Sequence, residues 1–222
     1  NEAPLLDPDP QNGDNRALDF FGGTLSGIRQ KLDELQQLGV TILYLNPIFR
    51  ARTNHRYDTG SYEEIDPILG DEKAFAALVQ AAEKHGMRIL LDGVFSHTGA
   101  DSQYFNRFGR YPTVGAYQSP NSPYAGWYHF DHFPDAYNCW WGFYTLPAVN
   151  KDDPSYRRYL LDEESGVVPS WVKKGACGWR LDVVDELPMD LLRQMRLSLR
   201  KVSPEAMLLG EVWEDASNKV SY

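Results

Sequence analysis

The feature that most constrains the fold is a repeated order of helical segment, glycine and short apolar run. Gly39, Gly86 and Gly175 each end a helical segment immediately before such a run. Four runs are short and apolar enough for buried strands, and they span 40–45, 87–91, 176–182 and 206–211. Alternation of helices with buried strands predicts a parallel α/β sheet.

Two architectures fit this alternation, an open doubly wound sheet and a (β/α)₈ barrel. No strand is followed by a glycine-rich phosphate-binding fingerprint of the G-x-G-x-x-G or G-x-x-x-x-G-K-[ST] type. The usual mark of a nucleotide-binding open sheet is therefore missing.

Capping residues mark where the intervening helices begin. The predicted starts are Thr24 or Ser26, Asp71, Asp153–Pro154 and Pro188. Gly166 and Pro169 divide the third of these helices into two short pieces. The stretch between the first strand and Asp71 is predicted to be a polar loop. Residues 98–150 show no period and are predicted to form an irregular inserted segment.

Charge and hydropathy exclude several classes of function. The chain has 22 Lys and Arg against 31 Asp and Glu, a net charge of −9, which disfavours nucleic acid and anionic membranes as partners. No apolar run approaches the ~18–20 residues of a membrane helix. Cys139 and Cys177 allow at most one disulfide, and Cys177 is predicted to be a buried thiol. The compartment stays open, with the cytoplasm favoured over secretion.

Charged residues close three of the predicted strands. Asp92 ends the second strand and His97 follows it, Arg180 and Asp182 end the third, and Glu211 ends the fourth. Such residues are costly at the end of an apolar strand unless they are paired or solvated. Both candidate architectures gather ligands at the carboxyl ends of their strands, so these residues predict an active site. The alternative is that each acid serves only as a salt-bridge partner or helix cap.

Strand geometry predicts different pKa shifts, and therefore different catalytic roles, for Asp182 and Glu211. Arg180 and Asp182 lie on one face of the third strand, so the guanidinium is expected to lower the pKa of Asp182, which suits a nucleophile. Apolar neighbours are expected to raise the pKa of Glu211, which suits a general acid. If the two strands are neighbours, the carboxyl groups can approach ~5–5.5 Å, the separation found in retaining glycosidases.

Aromatic residues fit a sugar ligand, because sugar rings have apolar faces that stack on aromatic rings. Tyr57 follows the first strand, and six more aromatics crowd the inserted segment: Trp127, Tyr128, Trp140, Trp141, Phe143 and Tyr144. The alternative is that these six form the core of that segment. His129 and His132 have no second ligand pair at zinc-site spacing, so no metal site is predicted, although calcium with oxygen ligands stays an open alternative.

Several motifs resemble those of the α-amylase family, glycoside hydrolase family 13. Residues 92–97 (DGVFSH) resemble its first conserved block, 178–182 (GWRLD) its second and 210–213 (GEVW) its third. The stretches 54–58 (NHRYD) and 182–186 (DVVDE) look most like the neopullulanase, cyclomaltodextrinase and α-glucosidase branches.

The resemblance implies roles for individual residues. Asp182 would be the nucleophile and Glu211 the acid/base. The residues implied to bind substrate, an α-glucan oligosaccharide, are Arg180, which would hold the nucleophile ionised, and His97, Asp92, Tyr57, His55 and Asp58. The implied activity is retaining hydrolysis of α-1,4-glucosidic bonds in starch-derived oligosaccharides or cyclodextrins, without a cofactor. Ser96 stands where many members have an asparagine calcium ligand, so calcium is doubtful.

The resemblance also implies a partial (β/α)₈ barrel of about four βα units. Residues 1–97 would form its first part, 98–150 the inserted domain B, and 151–222 its continuation. The family's fourth block, with its third catalytic carboxylate, has no counterpart in the sequence. We therefore expect a piece of a catalytic domain that self-associates through exposed barrel edges and has little activity alone. The alternatives are a non-catalytic binding barrel and a transglycosidase.

Overall fold

A parallel four-stranded sheet organises the part of the chain that the computed structural model describes, residues 16–217. The strands, numbered along the chain, are β1 (Ile42–Tyr44), β2 (Phe49–Ala51), β3 (Thr59–Ile65), β4 (Arg88–Gly93), β5 (Phe130–His132), β6 (Ala136–Tyr137), β7 (Ala176–Leu181) and β8 (Met207–Gly210). The main sheet has the order β1-β4-β7-β8 and all of its pairs are parallel. The four predicted strands are confirmed, but only β4 and β7 are mostly buried, because β1 and β8 lie at the edges of the sheet.

Strand register places the candidate residues at one end of this sheet. Asp92 in β4 pairs with Arg180 in β7, and Leu181 pairs with Gly210 in β8. Asp182 and Glu211 follow the last residues of β7 and β8, so they leave two neighbouring strands at the same edge. This confirms the strand adjacency on which the predicted carboxylate pair depends.

Helices pack on the sheet, in the order expected for βα units. They are α1 (Leu25–Arg29), α2 (Leu32–Gln37), α3 (Glu72–Lys84), α4 (Pro154–Leu161), α5 (Val167–Lys173) and α6 (Met189–Val202). Asp71 caps α3 by accepting a hydrogen bond from the Ala74 N–H, and Asp153 caps α4. The division of α4 from α5 agrees with the prediction from Gly166 and Pro169.

The first predicted helix is two helices in the structure, because α1 ends at Arg29 and α2 begins at Leu32. The Gln30 N–H is shared between the Ser26 and Gly27 carbonyls, which is the tightened geometry of a helix end.

An antiparallel pair, β2 and β3, stands where a polar loop was predicted. The prediction fails because β3 does not alternate: four successive buried residues precede the exposed Glu63 and Glu64. Tyr62 in this strand is fully buried and its hydroxyl donates to the Val94 carbonyl. The pair therefore anchors the loop after β1 to the main sheet.

Residues 98–150 form an aromatic core around a small hairpin, β5 paired with β6. The Phe105 ring contacts Tyr128 and Tyr137 at centroid distances of 4.9 and 4.7 Å. Trp127 is also buried, and its indole N–H donates to Ser155 on α4. The boundaries at 97/98 and 150/151 stay a prediction.

The sheet is not a closed barrel within residues 16–217, because β1 and β8 each have one strand neighbour. Side chains on these two edge strands are correspondingly open, with Tyr44 41% and Leu209 50% exposed. No helix in this part of the chain is long and apolar enough to span a bilayer. Cys139 and Cys177 are both free and half-buried, so the buried thiol predicted at 177 is only partly enclosed.

Candidate active site

One guanidinium holds the candidate acids together. Arg180 Nη1 donates to Asp182 Oδ1 at 2.9 Å, and Nη2 lies 2.6 Å from Glu211 Oε1. Nη1 also donates to both oxygens of Asp92 at 3.1 Å. Because one planar fork contacts all three carboxylates, the two predicted catalytic acids lie in one cluster. A single positive charge therefore faces three acids.

Asp92 lies behind the wall of the cavity rather than on it. Its side chain is fully buried and it does not line the cavity. Burial raises the pKa of Asp92, whereas hydrogen bonds from Tyr44 and Arg180 oppose the rise. The Tyr57 hydroxyl, 3.2 Å from Oδ2, is a further donor. Asp92 therefore contacts two residues that line the cavity, Arg180 and Tyr57, and its predicted role in binding substrate stays a prediction.

Tyr44 is a site residue that the sequence analysis missed. Its hydroxyl donates to Asp92 Oδ2, and the Arg180 guanidinium lies 5.6 Å from the centre of its ring. Tyr44 is the last residue of β1 and lies inside the apolar run 40–45, so nothing in the sequence distinguished it from a core residue. The β1–β4 register, which pairs Tyr44 with Leu90, brings it beside the cluster.

The pKa of Asp182 moves in the direction opposite to the prediction. Burial and then the neighbouring charge of Asp92 raise it to about 6, against the lowering effect of Arg180. The sequence analysis counted the guanidinium but not the other carboxylates that share it. Asp182 nevertheless ionises below neutral pH, as a nucleophile requires.

Glu211 is held by polar groups rather than by the apolar surroundings that were predicted. Its Oε2 accepts a hydrogen bond from the Val183 N–H at 3.0 Å, while Oε1 faces Arg180. The Glu211 carbonyl also accepts from the Val184 N–H. The turn after Asp182 is thus tied directly to Glu211.

Val183, the residue that makes this tie, has φ +43° and ψ +59°. A β-branched residue in the left-handed region is strained, and strain of this kind collects at functional sites. The turn directs the Val183 N–H at Glu211 and fixes the backbone between the two acids.

His97 is neutral at physiological pH. Burial lowers its pKa to about 4, and its Nε2 lies 3.1 Å from the Tyr57 carbonyl. A carbonyl only accepts hydrogen bonds, so Nε2 carries the proton and Nδ1 is an acceptor. Nδ1 is buried and has no hydrogen-bond partner within residues 16–217.

The loop after β2 brings the other predicted binding residues to the same place. His55 and Tyr57 stack with ring centroids 6.0 Å apart, and the Tyr57 N–H donates to His55 Nδ1. The Asp58 carboxylate accepts from the Thr53 N–H at 3.2 Å and from its hydroxyl, and burial raises the Asp58 pKa. Asp58 therefore shapes the loop as well as lining the cavity.

These residues surround a cavity of about 860 Å³. Its wall includes seven of the eight predicted site residues, which are His55, Tyr57, Asp58, His97, Arg180, Asp182 and Glu211. Trp140, Phe143 and Trp213 add aromatic surface. A volume in this range suits an oligosaccharide-sized ligand held by apolar faces and a few polar groups.

The predicted sugar-stacking aromatics divide into two groups. Trp127 and Tyr128 are buried in the core of the inserted segment, where they support the fold and do not reach the cavity. Trp140 and Phe143 do line it, whereas Trp141 and Tyr144 are exposed nearby in the chain. The sequence has no signal that separates the two groups, because all six lie in one aperiodic stretch.

A second missed residue, Glu186, organises the exposed aromatic edge. Its Oε1 accepts hydrogen bonds from the indole N–H groups of Trp140 at 3.0 Å and Trp141 at 3.2 Å. The ring of Trp213, the last residue of the third block, contacts Trp141 at 5.3 Å. We call Trp140, Trp141 and Trp213 the tryptophan edge. One carboxylate thus fixes two of its three rings.

The residues present do not fit a calcium site at the position implied by the resemblance. Ser96 is buried, and its hydroxyl has no hydrogen-bond partner among the described residues. A single neutral hydroxyl is a weak ligand for a hard cation, which needs several oxygens and usually carboxylates. Within 16–217 no group of three or more His, Cys, Asp or Glu side chains is placed to hold a metal ion. No step is assigned to a metal.

Comparison with known proteins agrees with this geometry. Residues 8–222 match the family description "Alpha amylase, catalytic domain". The chain is 41% identical over 217 residues to an amylopullulanase from Thermoanaerobacterium saccharolyticum, covering 90% of this chain and 17% of that protein. It is 38% identical over 204 residues to a cyclomaltodextrinase from Geobacillus thermopakistaniensis, covering 89% of this chain and 33% of the relative.

The fold is shared with a cyclic α-maltosyl-(1→6)-maltose hydrolase from Arthrobacter globiformis. The TM-score is 0.80 at 34% identity, with 93% of this chain and 47% of that chain covered. The chain thus spans less than half the length of each of these proteins. The parallel α/β sheet corresponds to part of a (β/α)₈ barrel, and both the family match and these likenesses identify a glycoside hydrolase catalytic domain. The chain belongs to the α-amylase family.

Proposed function

We propose that the whole protein hydrolyses α-1,4-glucosidic bonds in starch-derived oligosaccharides or cyclodextrins with retention of configuration. One observation carries the proposal: Asp182 and Glu211 leave neighbouring strands, share the Arg180 guanidinium and line one cavity with an aromatic wall. Related proteins named amylopullulanase and cyclomaltodextrinase support the substrate class.

In the proposed reaction Asp182 attacks the anomeric carbon while Glu211 protonates the departing glycosidic oxygen. A covalent glycosyl ester forms on Asp182, and Glu211 then removes a proton from the water that hydrolyses it. Arg180 keeps Asp182 ionised and oriented. The neutral ring of His97 lines the same cavity and contributes to the surface against which the sugar binds. The proposal assigns no cofactor to this reaction.

The test is turnover of cyclodextrin, maltotriose and pullulan by the full-length protein and by Asp182→Asn and Glu211→Gln variants. We expect cleavage of α-1,4 bonds, with a loss of at least about 10³-fold in kcat for either variant. Glu205→Gln removes an exposed carboxylate outside the cavity and serves as the matched control. Sugar binding without hydrolysis would instead support a binding barrel, and transfer to an added acceptor sugar would support a transglycosidase.

We also propose that the 222-residue chain alone has little activity and associates with a second copy. The outer edges of β1 and β8 have no strand neighbour within the described residues, and unpaired edges favour pairing between molecules. Sedimentation is expected to show dimers or larger species. A monomeric chain with robust turnover of maltotriose would refute both statements.

A cytoplasmic location is part of the proposal, since the two free thiols suit a reducing compartment. Cell fractionation with an antibody to the chain tests it, and recovery in the medium would contradict it.

A further inference from the structure

Three arginines surround one exposed phenylalanine at the rim of the cavity. The guanidinium carbons of Arg52, Arg107 and Arg110 lie 5.4, 6.0 and 5.8 Å from the centre of the Phe108 ring. We call these three side chains and Phe108 the arginine rim. The side chain of Phe108 is 47% exposed, so the cluster faces solvent.

The charges of the arginine rim are poorly balanced by the protein itself. Arg110 pairs with Asp101 at 3.1 Å, whereas Arg52 and Arg107 have no carboxylate partner within residues 16–217. The clustering is notable in a chain whose net charge is −9. All three guanidinium carbons lie within 6.0 Å of one ring centre, so their combined positive potential would attract an anion bound beside Phe108.

Arg107 and Arg52 differ in how firmly their guanidinium groups are held. Arg107 is fixed, because its Nη1 donates to the Tyr137 hydroxyl at 2.9 Å and its guanidinium lies 5.4 Å from the Tyr117 ring. Arg52 makes no hydrogen bond within the described residues, so its donors are available to a ligand. Arg107 is thus held in place, whereas the Arg52 side chain can turn toward an anion with several oxygens.

The position of the arginine rim relates it to the candidate active site. Arg52, Asp101 and Phe108 line the same cavity as Asp182 and Glu211. An anion bound there would belong to the ligand whose sugar units occupy that cavity. A phosphate monoester offers more acceptor oxygens to arginine side chains than a carboxylate does, so it is the anionic group we consider.

We propose that the arginine rim binds the phosphate group of a phosphorylated α-glucan whose unmodified units lie in the cavity. This proposal rests on the proposed function, because it assumes that an α-glucan chain binds in the cavity. The phosphate oxygens accept hydrogen bonds from Arg52 and Arg107, and the exposed Phe108 ring contacts the apolar face of the sugar that carries the phosphate. Arg110 adds charge while staying paired with Asp101.

Binding is measured by titration calorimetry of the chain with four probes: inorganic phosphate, glucose 6-phosphate, maltotriose and a phosphorylated maltodextrin. The variants are Arg52→Gln and Arg107→Gln, and Arg200→Gln on α6 is the control that removes the same charge elsewhere. Circular dichroism and thermal unfolding establish that each variant folds. Arg52→Gln leaves no internal hydrogen bond broken, so it keeps the test valid if Arg107→Gln is unstable.

The phosphorylated maltodextrin is expected to bind at least tenfold more tightly than maltotriose, and Arg52→Gln is expected to remove most of this gain. Arg200→Gln is expected to leave the binding of maltotriose and of the phosphorylated maltodextrin unchanged, and the gain is expected to fall with added salt. Equal affinity for maltotriose and the phosphorylated maltodextrin would overturn the proposal. So would inorganic phosphate binding as tightly as the phosphorylated maltodextrin, or an equal loss in Arg200→Gln. Failure of the proposed function shows itself separately, as absence of maltotriose hydrolysis by the full-length protein.

Discussion

Asp182→Asn is expected to stabilise the chain at neutral pH, because Asp182 is the acid least compensated in the cluster. Its side chain is only 10% exposed, and one guanidinium serves it, Asp92 and Glu211 together. Burial and the charge of Asp92 raise its pKa from 3.8 to about 6. A shift of roughly two units corresponds to about 3 kcal/mol against the ionised form.

The direction of the pH dependence of stability follows from the number of protons that the folded and the unfolded chain bind. Between about pH 4 and pH 6 the folded chain holds a proton on Asp182 that the unfolded chain has released, so the stability of the wild type falls as pH rises through this window. Asparagine carries no charge at any of these pH values and its oxygen still accepts from Arg180. The variant therefore gains about 3 kcal/mol over the wild type at pH 7, and a few tenths at pH 4.

The assay is urea denaturation of the wild type and of the variant, each at pH 4 and pH 7. Glu205→Gln removes an exposed carboxylate and is expected to change the free energy of unfolding by less than about 0.5 kcal/mol at either pH. A wild type as stable as Asp182→Asn at pH 7 would refute the reasoning. The same gap at both pH values would show that the effect is not ionisation of Asp182.

Three further substitutions test other parts of the site. Tyr44→Phe removes the hydroxyl that donates to Asp92, so it is expected to raise the Asp92 pKa, which carboxyl NMR measures. It is also expected to lower the free energy of unfolding by about 1–3 kcal/mol. An unchanged Asp92 titration would contradict this role. Gly178→Ala is expected to lower the free energy of unfolding, measured with heat or urea, by about 3 kcal/mol or more. The φ angle of Gly178 is +145°, and an added Cβ would lie 2.0 Å from the Met207 carbonyl oxygen of β8. Wild-type stability in this variant would show that the two strands can move apart without cost. Glu186→Ala removes the acceptor of the Trp140 and Trp141 indole N–H groups, so acrylamide quenching of tryptophan fluorescence is expected to rise and maltotriose binding to weaken about tenfold. The free energy of unfolding is expected to change by only ~1–2 kcal/mol. Unaltered quenching would mean that Glu186 does not hold the rings.

The sequence was sufficient for the parts of the fold that depend on local pattern. Glycines after helices and short apolar runs located all four strands of the main sheet, and Asp71 and Asp153 located two helix starts. It was not sufficient for β3, where burial is continuous rather than alternating and depends on contacts with residues such as Trp171, whose indole N–H donates to the Tyr62 carbonyl.

For the candidate site, the residue types and positions were predictable but the electrostatics were not. The residues at the strand ends and the stretch 54–58 identified seven of the residues that line the cavity. The predicted pKa direction of Asp182 was wrong because the shift depends first on burial and then on the charge of Asp92, which strand register brings beside the same guanidinium. Tyr44 and Glu186 were missed for the same reason, since each reaches the site from a position that carries no local signal.

Covalent trapping tests the central claim most directly, namely that Asp182 and Glu211 act as nucleophile and acid/base in one cleft. The full-length protein is incubated with 5-fluoro-α-D-glucopyranosyl fluoride, digested, and its peptides are sequenced by mass spectrometry. One glycosyl ester is expected, on Asp182, with no adduct in the Asp182→Asn variant. An adduct on Glu211 or on any other carboxylate, or hydrolysis that persists in Asp182→Asn, would contradict it.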